Sequence, residues 1–240
     1  MRRKHQFDFK QFSVNQAHSA MKVCTDSCVF GALIDTQQAR TILDIGTGTG
    51  LLSLMLAQRT SDITQIDAVE IDSEAINDAQ SNICSSPWHH RIAVHHADIQ
   101  TWKAQRAYDL ILCNPPFHIR STPSFIPKEQ QAFHADESLP FEVLVKTIEK
   151  LSHESTQTWI LLPIQEMNTF IAMANASLLY VQESIEIYHA SNDAAMRRIC
   201  RFSKQQSGEC IKRTFAYREY ASGPYTQAFI DAMSPYYLFL

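Results

Sequence analysis

The sequence predicts a doubly wound α/β fold with a mostly parallel sheet. Three observations support this. Short apolar segments alternate with helical patterns over residues 1–175, polar loops follow four successive strand segments, and three of the six glycines lie within residues 46–50. The 240 residues are 45% hydrophobic and 19% charged, which suits a large core and excludes disorder and coiled coil. Apolar runs are also too short to span a bilayer.

The first half of the chain has the strand–helix order that a parallel sheet requires. An apolar run over 41–45 predicts a buried strand, and the glycine turn then leads into a helix over 51–59. Ser73 is the expected N-cap of a later helix, which Asp72 could open instead. The remaining elements of this half are predicted as strands over 64–70, 91–95 and 108–113 and a helix over 73–84.

The second half begins with a segment over 118–138 that lacks periodicity and predicts a long loop. The elements predicted after it are helices over 141–151 and 164–176, a strand over 158–162, strands near 178–188, 198–203 and 211–217, and a short helix near 225–233. Ligands of parallel sheets bind at the carboxyl ends of the strands. The loops of the first half meet at that edge, so we expect the binding site there.

The glycine turn reads Asp-x-Gly-x-Gly-x-Gly over residues 44–50. Glycines let a backbone approach a ligand closely, and the helix that follows offers free amides. Glu70 ends the next strand, where a carboxylate can accept hydrogen bonds from both hydroxyls of a ribose. Asp98, after the third strand, could accept from an adenine amino group. The pattern favours a nucleoside ligand without a 2′-phosphate, which disfavours NADP.

The fourth strand is followed by Asn114-Pro-Pro-Phe117. An exocyclic or amide nitrogen is a poor nucleophile because its lone pair is delocalised. The Asn114 side-chain oxygen and the Pro115 carbonyl could accept hydrogen bonds from both N–H groups, with Pro116 fixing that carbonyl and Phe117 stacking on the planar target. Such a site catalyses mainly by positioning and electrostatics.

Net charge is −4, but the two ends of the chain are basic and the body is acidic. This suggests a local anionic partner, and the candidates for phosphate contacts are Arg2, Arg3, Lys4, Arg197, Arg198, Arg201, Lys204, Lys212, Arg213 and Arg218. Cysteine and histidine spacings predict no metal site. The charged N-terminal segment has no apolar stretch after it, so a cytoplasmic protein is expected, and we also expect a monomer without membrane contact.

The motifs together resemble the class I S-adenosylmethionine-dependent methyltransferases that modify amino nitrogens. Residues 9–16 (Phe-Lys-Gln-Phe-Ser-Val-Asn-Gln), residues 20–26 (Ala-Met-Lys-Val-Cys-Thr-Asp) and the ending Tyr236-Tyr-Leu-Phe-Leu240 resemble the bacterial tRNA(Val) adenine-37 N6-methyltransferase family. The resemblance covers nearly the whole chain. It departs at Phe133, where the family has a basic residue, and at residues 194–196, where the family has a proline-containing turn.

The resemblance implies a Rossmann-like, seven-stranded fold with an antiparallel last strand. It implies one domain over 1–240, in which residues 1–40 close over the cofactor S-adenosyl-L-methionine and 41–240 form the catalytic core. The substrate it implies is a tRNA adenine flipped into the pocket formed by Asn114, Pro115, Pro116 and Phe117. The cofactor-binding residues it implies are Lys22, Thr25, Asp44, Gly46, Thr47, Gly48, Gly50, Glu70, Asp98 and Asn114.

Other functions remain open at this stage. Methylation of a protein glutamine needs the same acceptors, although only about 40 residues precede the first strand, too few for a separate helical domain. Methylation of ribosomal-RNA guanine N2 or of DNA adenine N6 also fits the motif. An RNA-binding module that retains an inactive cofactor fold is the non-enzymatic alternative, and the intact glycine turn beside Asn114 argues against it.

Overall fold

The central feature of the computed structural model is an eight-stranded sheet with helices on both faces. The structure describes residues 5–19, 21–36, 39–115, 139–206 and 208–240. The strands of the sheet are β3 (Thr41–Ile45), β4 (Gln65–Glu70), β5 (Ile92–His96), β6 (Tyr108–Cys113), β7 (Ser152–Pro163), β8 (Tyr180–Ala190), β9 (Arg197–Ser203) and β10 (Ile211–Arg218). Their order across the sheet is β10-β8-β9-β7-β6-β3-β4-β5.

Six helices and a small hairpin complete the described part of the chain. The helices are α1 (Thr25–Leu33), α2 (Leu51–Arg59), α3 (Ser73–Cys84), α4 (Phe141–Leu151), α5 (Ile164–Ala176) and α6 (Gln227–Met233). The hairpin pairs β1 (Gln6–Asp8) with β2 (Ser13–Asn15). The hairpin and α1 lie before the first strand that the sequence pattern indicated, and both were missed because they are short and carry no clear period.

The predicted α/β class is confirmed, with two corrections to what the resemblance implied: the strand count and the position of the antiparallel strand. The sheet has eight strands instead of seven, because β10 adds to the edge strand β8 in parallel. The antiparallel strand is β9, which lies between β7 and β8. It is the penultimate strand of the chain, whereas the resemblance implied that the last strand is antiparallel. An edge strand offers unpaired backbone groups, and β10 satisfies those of β8.

Two apolar cores, one on each face, hold the sheet. Helices α1, α2 and α6 pack on one face, with Phe30 and Phe229 fully enclosed. Helices α4 and α5 cover the other face, where Ile148 and Phe170 are buried. Strands buried on both faces are continuous apolar runs, which is why the short segment around Leu43 was recognisable from sequence.

The N-terminal strap, which we define as residues 5–19 and 21–24, is anchored on α3. The Asn82 side chain accepts from the Asn15 N–H (2.7 Å) and donates to the carbonyls of Asn15 (2.8 Å) and Thr49 (2.9 Å). One buried amide thus links the strap to the glycine turn. Asp78, one helical turn earlier, accepts from the N–H groups of His18 and Ser19, each at 2.9 Å. The strap is therefore held beside the carboxyl edge of the sheet.

Candidate active site

The carboxyl ends of β3, β4 and β6 lie level in the sheet. Ile45 is in register with Val69 on one side and with Cys113 on the other, and Glu70 with His96 of β5. The residues that follow these strand ends therefore share one edge, as the sequence suggested. This edge is where the polar candidates for ligand binding come together.

The glycine turn presents an open backbone cradle. Gly46 and Gly48 have φ values of 69° and 57°, a left-handed conformation that other residues rarely adopt. A Cβ at either position would meet nothing within 4 Å, whereas a Cβ on Gly50 would lie 3.1 Å from Ile83. Gly50 therefore permits α2 and α3 to pack, and Gly46 and Gly48 leave room for a ligand.

Asp44, at the base of the turn, is a buried carboxyl with one unused oxygen. Its Oδ2 accepts from the hydroxyls of Thr47 and Ser53, both at 2.7 Å. Its Oδ1 is buried and has no hydrogen-bond partner among the described residues. Burial raises the pKa of Asp44 to about 6, the two hydroxyls lower it, and the nearby Glu70 raises it further. A buried acceptor without a donor is what a site built to receive a ligand would show.

Glu70, at the end of the neighbouring strand β4, binds the backbone of the glycine turn. Its Oε2 accepts from the Gly48 N–H at 2.8 Å, and its Oε1 accepts from the N–H groups of Ile71 (2.8 Å) and Asp72 (3.0 Å). A carboxylate offers about four acceptor positions. The backbone uses three of them here, so one remains for a ligand hydroxyl. A second ligand hydroxyl would have to share the acceptor position that the Gly48 N–H occupies.

The two aspartates that follow β4 and β5 both cap local structure. Asp72 is the N-cap of α3 and accepts from the N–H groups of Glu74 and Ala75. The N-cap predicted at Ser73 was therefore one residue late. Asp98 accepts from the Gln100 N–H at 2.9 Å and is half-buried. An adenine contact by Asp98 stays a prediction.

Asn114 follows β6 and contacts a residue of α1. Its Nδ2 donates to Oγ of Ser27 at 3.0 Å, while its Oδ1 is buried and has no hydrogen-bond partner among the described residues. Pro115 is buried behind it. Pro116 and Phe117 lie outside the described residues, as does the loop predicted over 118–138. Ser27 was missed because no local pattern marks a residue that meets Asn114 from 87 positions away.

Lys22 and Thr25 stand at the end of the strap. The Lys22 ammonium donates to the carbonyls of Gln16 (2.6 Å) and Ser19 (2.7 Å) and thereby closes the strap on itself. Thr25 is exposed at the first position of α1. Cofactor contacts by these two residues stay predictions.

Most arginines of the predicted phosphate-binding set have acidic partners in the protein. Arg197 pairs with Asp26 (3.2 Å), Arg198 with Glu186 (2.7 Å) and Arg201 with Glu183 (3.4 Å), and each of these arginine side chains is less than a quarter exposed. Lys204 donates to the carbonyls of Glu149 and Ser152, and Arg218 donates to the Gly223 carbonyl. Arg213 pairs with Glu183, and Lys212 is exposed on the surface.

A groove of about 600 Å³ lies between α5 and strands β8 to β10, away from the glycine turn. Its lining includes Arg198, Lys212, Arg213 and Glu186, so cations outnumber acids there. Arg2, Arg3 and Lys4 lie outside the described residues. Phosphate binding by the basic set stays a prediction, and the exposed Lys212 and Arg213 are its best placed members.

Within the described ranges, histidine, cysteine and acidic side chains form no group of three that could hold a metal ion. None of the helices described above is long and apolar enough to cross a membrane.

Comparison with known proteins gives consistent matches over most of the chain. The family model described as methyltransferase small domain matches residues 11–135, more than half of the chain. A protein from Dyadobacter fermentans named tRNA1(Val) (adenine(37)-N6)-methyltransferase is 43% identical over 206 residues, covering 86% of this chain and 85% of that protein. A protein of the same name from Escherichia coli O157:H7 is 38% identical over 244 residues, covering 99% and 97%.

The fold has counterparts among solved methyltransferase structures. A predicted O-methyltransferase from Agrobacterium tumefaciens superposes with a TM-score of 0.64 at 16% identity, covering 88% of this chain and 96% of that one. The methyltransferase fold is thus confirmed independently of the sequence match. The family match supports the expected cofactor, S-adenosyl-L-methionine. The chain belongs to the methyltransferase small domain family and, with its full-length relatives, to the tRNA1(Val) (adenine(37)-N6)-methyltransferase family.

Proposed function

We propose that this protein methylates the N6 amine of adenine 37 in tRNA1(Val), with S-adenosyl-L-methionine as methyl donor. The names of relatives that match nearly the full chain support the substrate. The observation that carries the chemistry is the buried Oδ1 of Asn114, which has no partner among the described residues and lies on the same sheet edge as the open glycine turn. An acceptor oxygen without a donor suits a site that receives an amino group.

Asn114 and Pro115 would activate the amine by accepting hydrogen bonds from its two N–H groups. Hydrogen bonds to the Asn114 Oδ1 and the Pro115 carbonyl would draw the nitrogen lone pair out of conjugation with the ring and towards the incoming electrophile. No general base is required before the new bond forms, so the residues contribute orientation and preorganised dipoles. Phe117 would stack on the base, an interaction that is worth about 1–3 kcal/mol.

The residues of the glycine turn fit the cofactor. The space above Gly46 and Gly48 admits a ligand against the backbone, and Glu70 and Asp44 each keep an acceptor position. When bound, the cofactor supplies an electrophilic methyl group on a sulfonium. We assign Glu70 to the ribose and Asp98 to the adenine. The residues that would complete the binding site are Asp44, Thr47, Gly50, Lys22, Thr25 and Asn114.

The N-terminal extension over 1–40 would close the cofactor site, since the strap is tied to α3 and to the glycine turn. An anticodon-loop base is already partly unstacked, so flipping it out costs less than in a duplex. Lys212 and Arg213 are exposed for phosphate contacts, with Arg2, Arg3 and Lys4 as further candidates. A cytoplasmic location and a monomeric state complete the proposal.

The test uses an unmodified tRNA1(Val) transcript, the purified protein and S-adenosyl-L-methionine, with nucleosides quantified by mass spectrometry. We expect N6-methyladenosine in the transcript and none in a matched transcript with guanosine at position 37. Asn114→Ala should lower kcat by at least about 100-fold, because misplaced reacting groups lose that much. Its cofactor affinity by calorimetry should stay within about threefold, a change below 1 kcal/mol.

Two results would contradict this proposal. The first is methylation of the guanosine-37 transcript at the same rate, which would point to another nucleotide. The second is an equal loss of cofactor affinity and of kcat in Asn114→Ala, which would make Asn114 a cofactor ligand only. A protein with no activity on either transcript would direct the search to glutamine-containing protein substrates, ribosomal RNA or DNA.

A further inference from the structure

The first turn of α1 is fixed by two residues of the far strands. The Asp26 carboxylate accepts from the Tyr217 hydroxyl of β10 at 2.8 Å, and it pairs with Arg197 of β9 at 3.2 Å. Arg197 is 23% exposed and Asp26 26% exposed, and Tyr217 is buried. Partly enclosed ion pairs of this kind are screened less by solvent than surface pairs. The contacts tie α1 to the sheet close to the edge that holds Asn114.

The next residue along α1 touches the catalytic asparagine. Ser27 is buried, and its Oγ contacts both the Asn114 Nδ2 (3.0 Å) and the Cys24 Sγ (3.2 Å). A hydroxyl has one hydrogen to donate. If Ser27 donates it to the Cys24 sulfur, its lone pair must accept from Asn114. The amide is then held with its nitrogen toward α1 and its oxygen available to another donor.

We infer that Arg197, Asp26 and Ser27 are positioning residues for Asn114. This inference rests on the proposed role of Asn114 as the acceptor for the target amine. Arg197 holds Asp26, the α1 turn carries Ser27, and Ser27 selects the amide orientation that leaves Oδ1 of Asn114 without a partner among the described residues. The inference also changes the interpretation of Arg197, which the sequence alone assigned to phosphate contacts. The Nε of Arg197 faces Asp26 and its side chain is 23% exposed, so Arg197 offers less to an RNA phosphate than Arg213, whose side chain is 52% exposed.

Steady-state kinetics on the tRNA1(Val) transcript separates positioning from RNA binding. Arg197→Gln should lower kcat by about tenfold, since small displacements of a reacting group cost up to about 100-fold. The KM for tRNA and its salt dependence should stay at wild-type values. A phosphate contact predicts the opposite, with an unchanged kcat, a higher KM and a slope of log affinity against log salt reduced by about 0.9.

Two further variants connect the residues. Ser27→Ala should lower kcat about tenfold while cofactor affinity is unchanged, because the amide loses the contact that fixes its orientation. Asp26→Asn and Arg197→Gln combined should be no slower than the slower single variant, since coupled residues are not additive. Arg197→Lys keeps the charge, and it should recover part of the kcat lost in Arg197→Gln.

Two control variants change residues outside the site. Arg106→Gln removes an exposed arginine outside the site, Ser85→Ala removes a hydroxyl at the end of α3, and both should keep wild-type kcat. Circular dichroism and cofactor calorimetry verify that every variant is folded. If Asn114→Ala is inactive but Ser27→Ala and Arg197→Gln keep wild-type kcat, the positioning inference is overturned and the proposed function stands. If Asn114→Ala retains wild-type kcat, the proposed role of Asn114 and the positioning inference both fail. The proposed function fails if the wild-type protein does not methylate the transcript.

Discussion

Asp44 and Asp78 are both almost completely buried, with exposed fractions of 0% and 2%, yet their pKa values shift in opposite directions. Burial raises the pKa of Asp44 to about 6 despite two hydroxyl donors. Burial alone would also raise the pKa of Asp78, but the N–H of Ser19 and the ring and N–H of His18 lower it below its ordinary value. The two carboxyls differ in how completely the protein satisfies them.

The difference separates an anchor from a binding site. Both oxygens of Asp78 have partners, and those partners belong to the strap, so Asp78 contributes to folding. Asp44 keeps one buried oxygen without a partner among the described residues, beside the open glycine turn. Leaving a buried polar atom unsatisfied costs about 1–3 kcal/mol. A binding site can retain that cost, because the ligand supplies the missing donor.

The largest expected effect comes from removing the anchor. Asp78→Ala leaves the N–H groups of His18 and Ser19 without their acceptor, and hydrogen bonds to a charged acceptor are worth about 1.5–3 kcal/mol each. We expect the free energy of unfolding to fall by about 4 kcal/mol, measured by urea denaturation at pH 7. If the free energy of unfolding falls by less than about 1 kcal/mol, the strap contributes little to folding. The strap would then detach locally while the core stays folded.

Removing the charge of Asp44 should have the opposite effect on stability. In Asp44→Asn the amide oxygen can still accept from Thr47 and Ser53, because both hydroxyls bind the same oxygen. A carboxyl whose folded pKa is raised from 3.8 to about 6 stabilises the protein only while it is protonated. The contribution of Asp44 to wild-type stability should therefore fall as pH rises from about 4 to 6, by about 3 kcal/mol.

Asp44→Asn should lack that decline, so it should exceed wild type at pH 7 and match it near pH 4. Denaturation series from pH 4 to 7 measure the difference. Calorimetry should show that the same variant binds S-adenosyl-L-methionine about tenfold more weakly, a loss of about 1.4 kcal/mol. If the cofactor affinity of Asp44→Asn is unchanged, the Oδ1 of Asp44 does not contact the cofactor. If Asp44→Asn is less stable than wild type at pH 7, the charge of Asp44 does not destabilise the fold.

The sequence predicted the parts of the site that depend on local order. The glycine turn, Glu70 and Asn114 each follow a short apolar run, and strand ends of a parallel sheet must share an edge. Helix α4 was predicted with the boundaries that the structure shows, because its apolar stripe has a regular period. The family resemblance added the reaction and the substrate, which no spacing of residues specifies.

Contacts between distant segments were out of reach of that reasoning. Arg197 meets Asp26 across 171 positions of the chain, so its charge was interpreted as a surface feature available to RNA. Ser27 meets Asn114 through α1, a helix of nine residues with only a weak amphipathic pattern. The pairing of β10 with β8 likewise depends on which edge is free. Tertiary packing decides such features, and local propensity carries little information about them.

The smallest expected effect tests whether the charge of Asp78 stabilises the fold in addition to its hydrogen bonds. Asp78→Asn keeps an oxygen for the N–H groups of His18 and Ser19, so it should lose less stability than Asp78→Ala. A lowered folded pKa gives stability that is present above the unfolded pKa of about 3.9 and is lost as pH falls through the folded pKa. The gap between wild type and Asp78→Asn should therefore be constant from pH 5 to 7 and begin to close as the pH falls below about 4. Urea denaturation at each pH measures it, and a gap that does not narrow at all between pH 5 and pH 3 would assign the loss to altered hydrogen-bond geometry instead of charge.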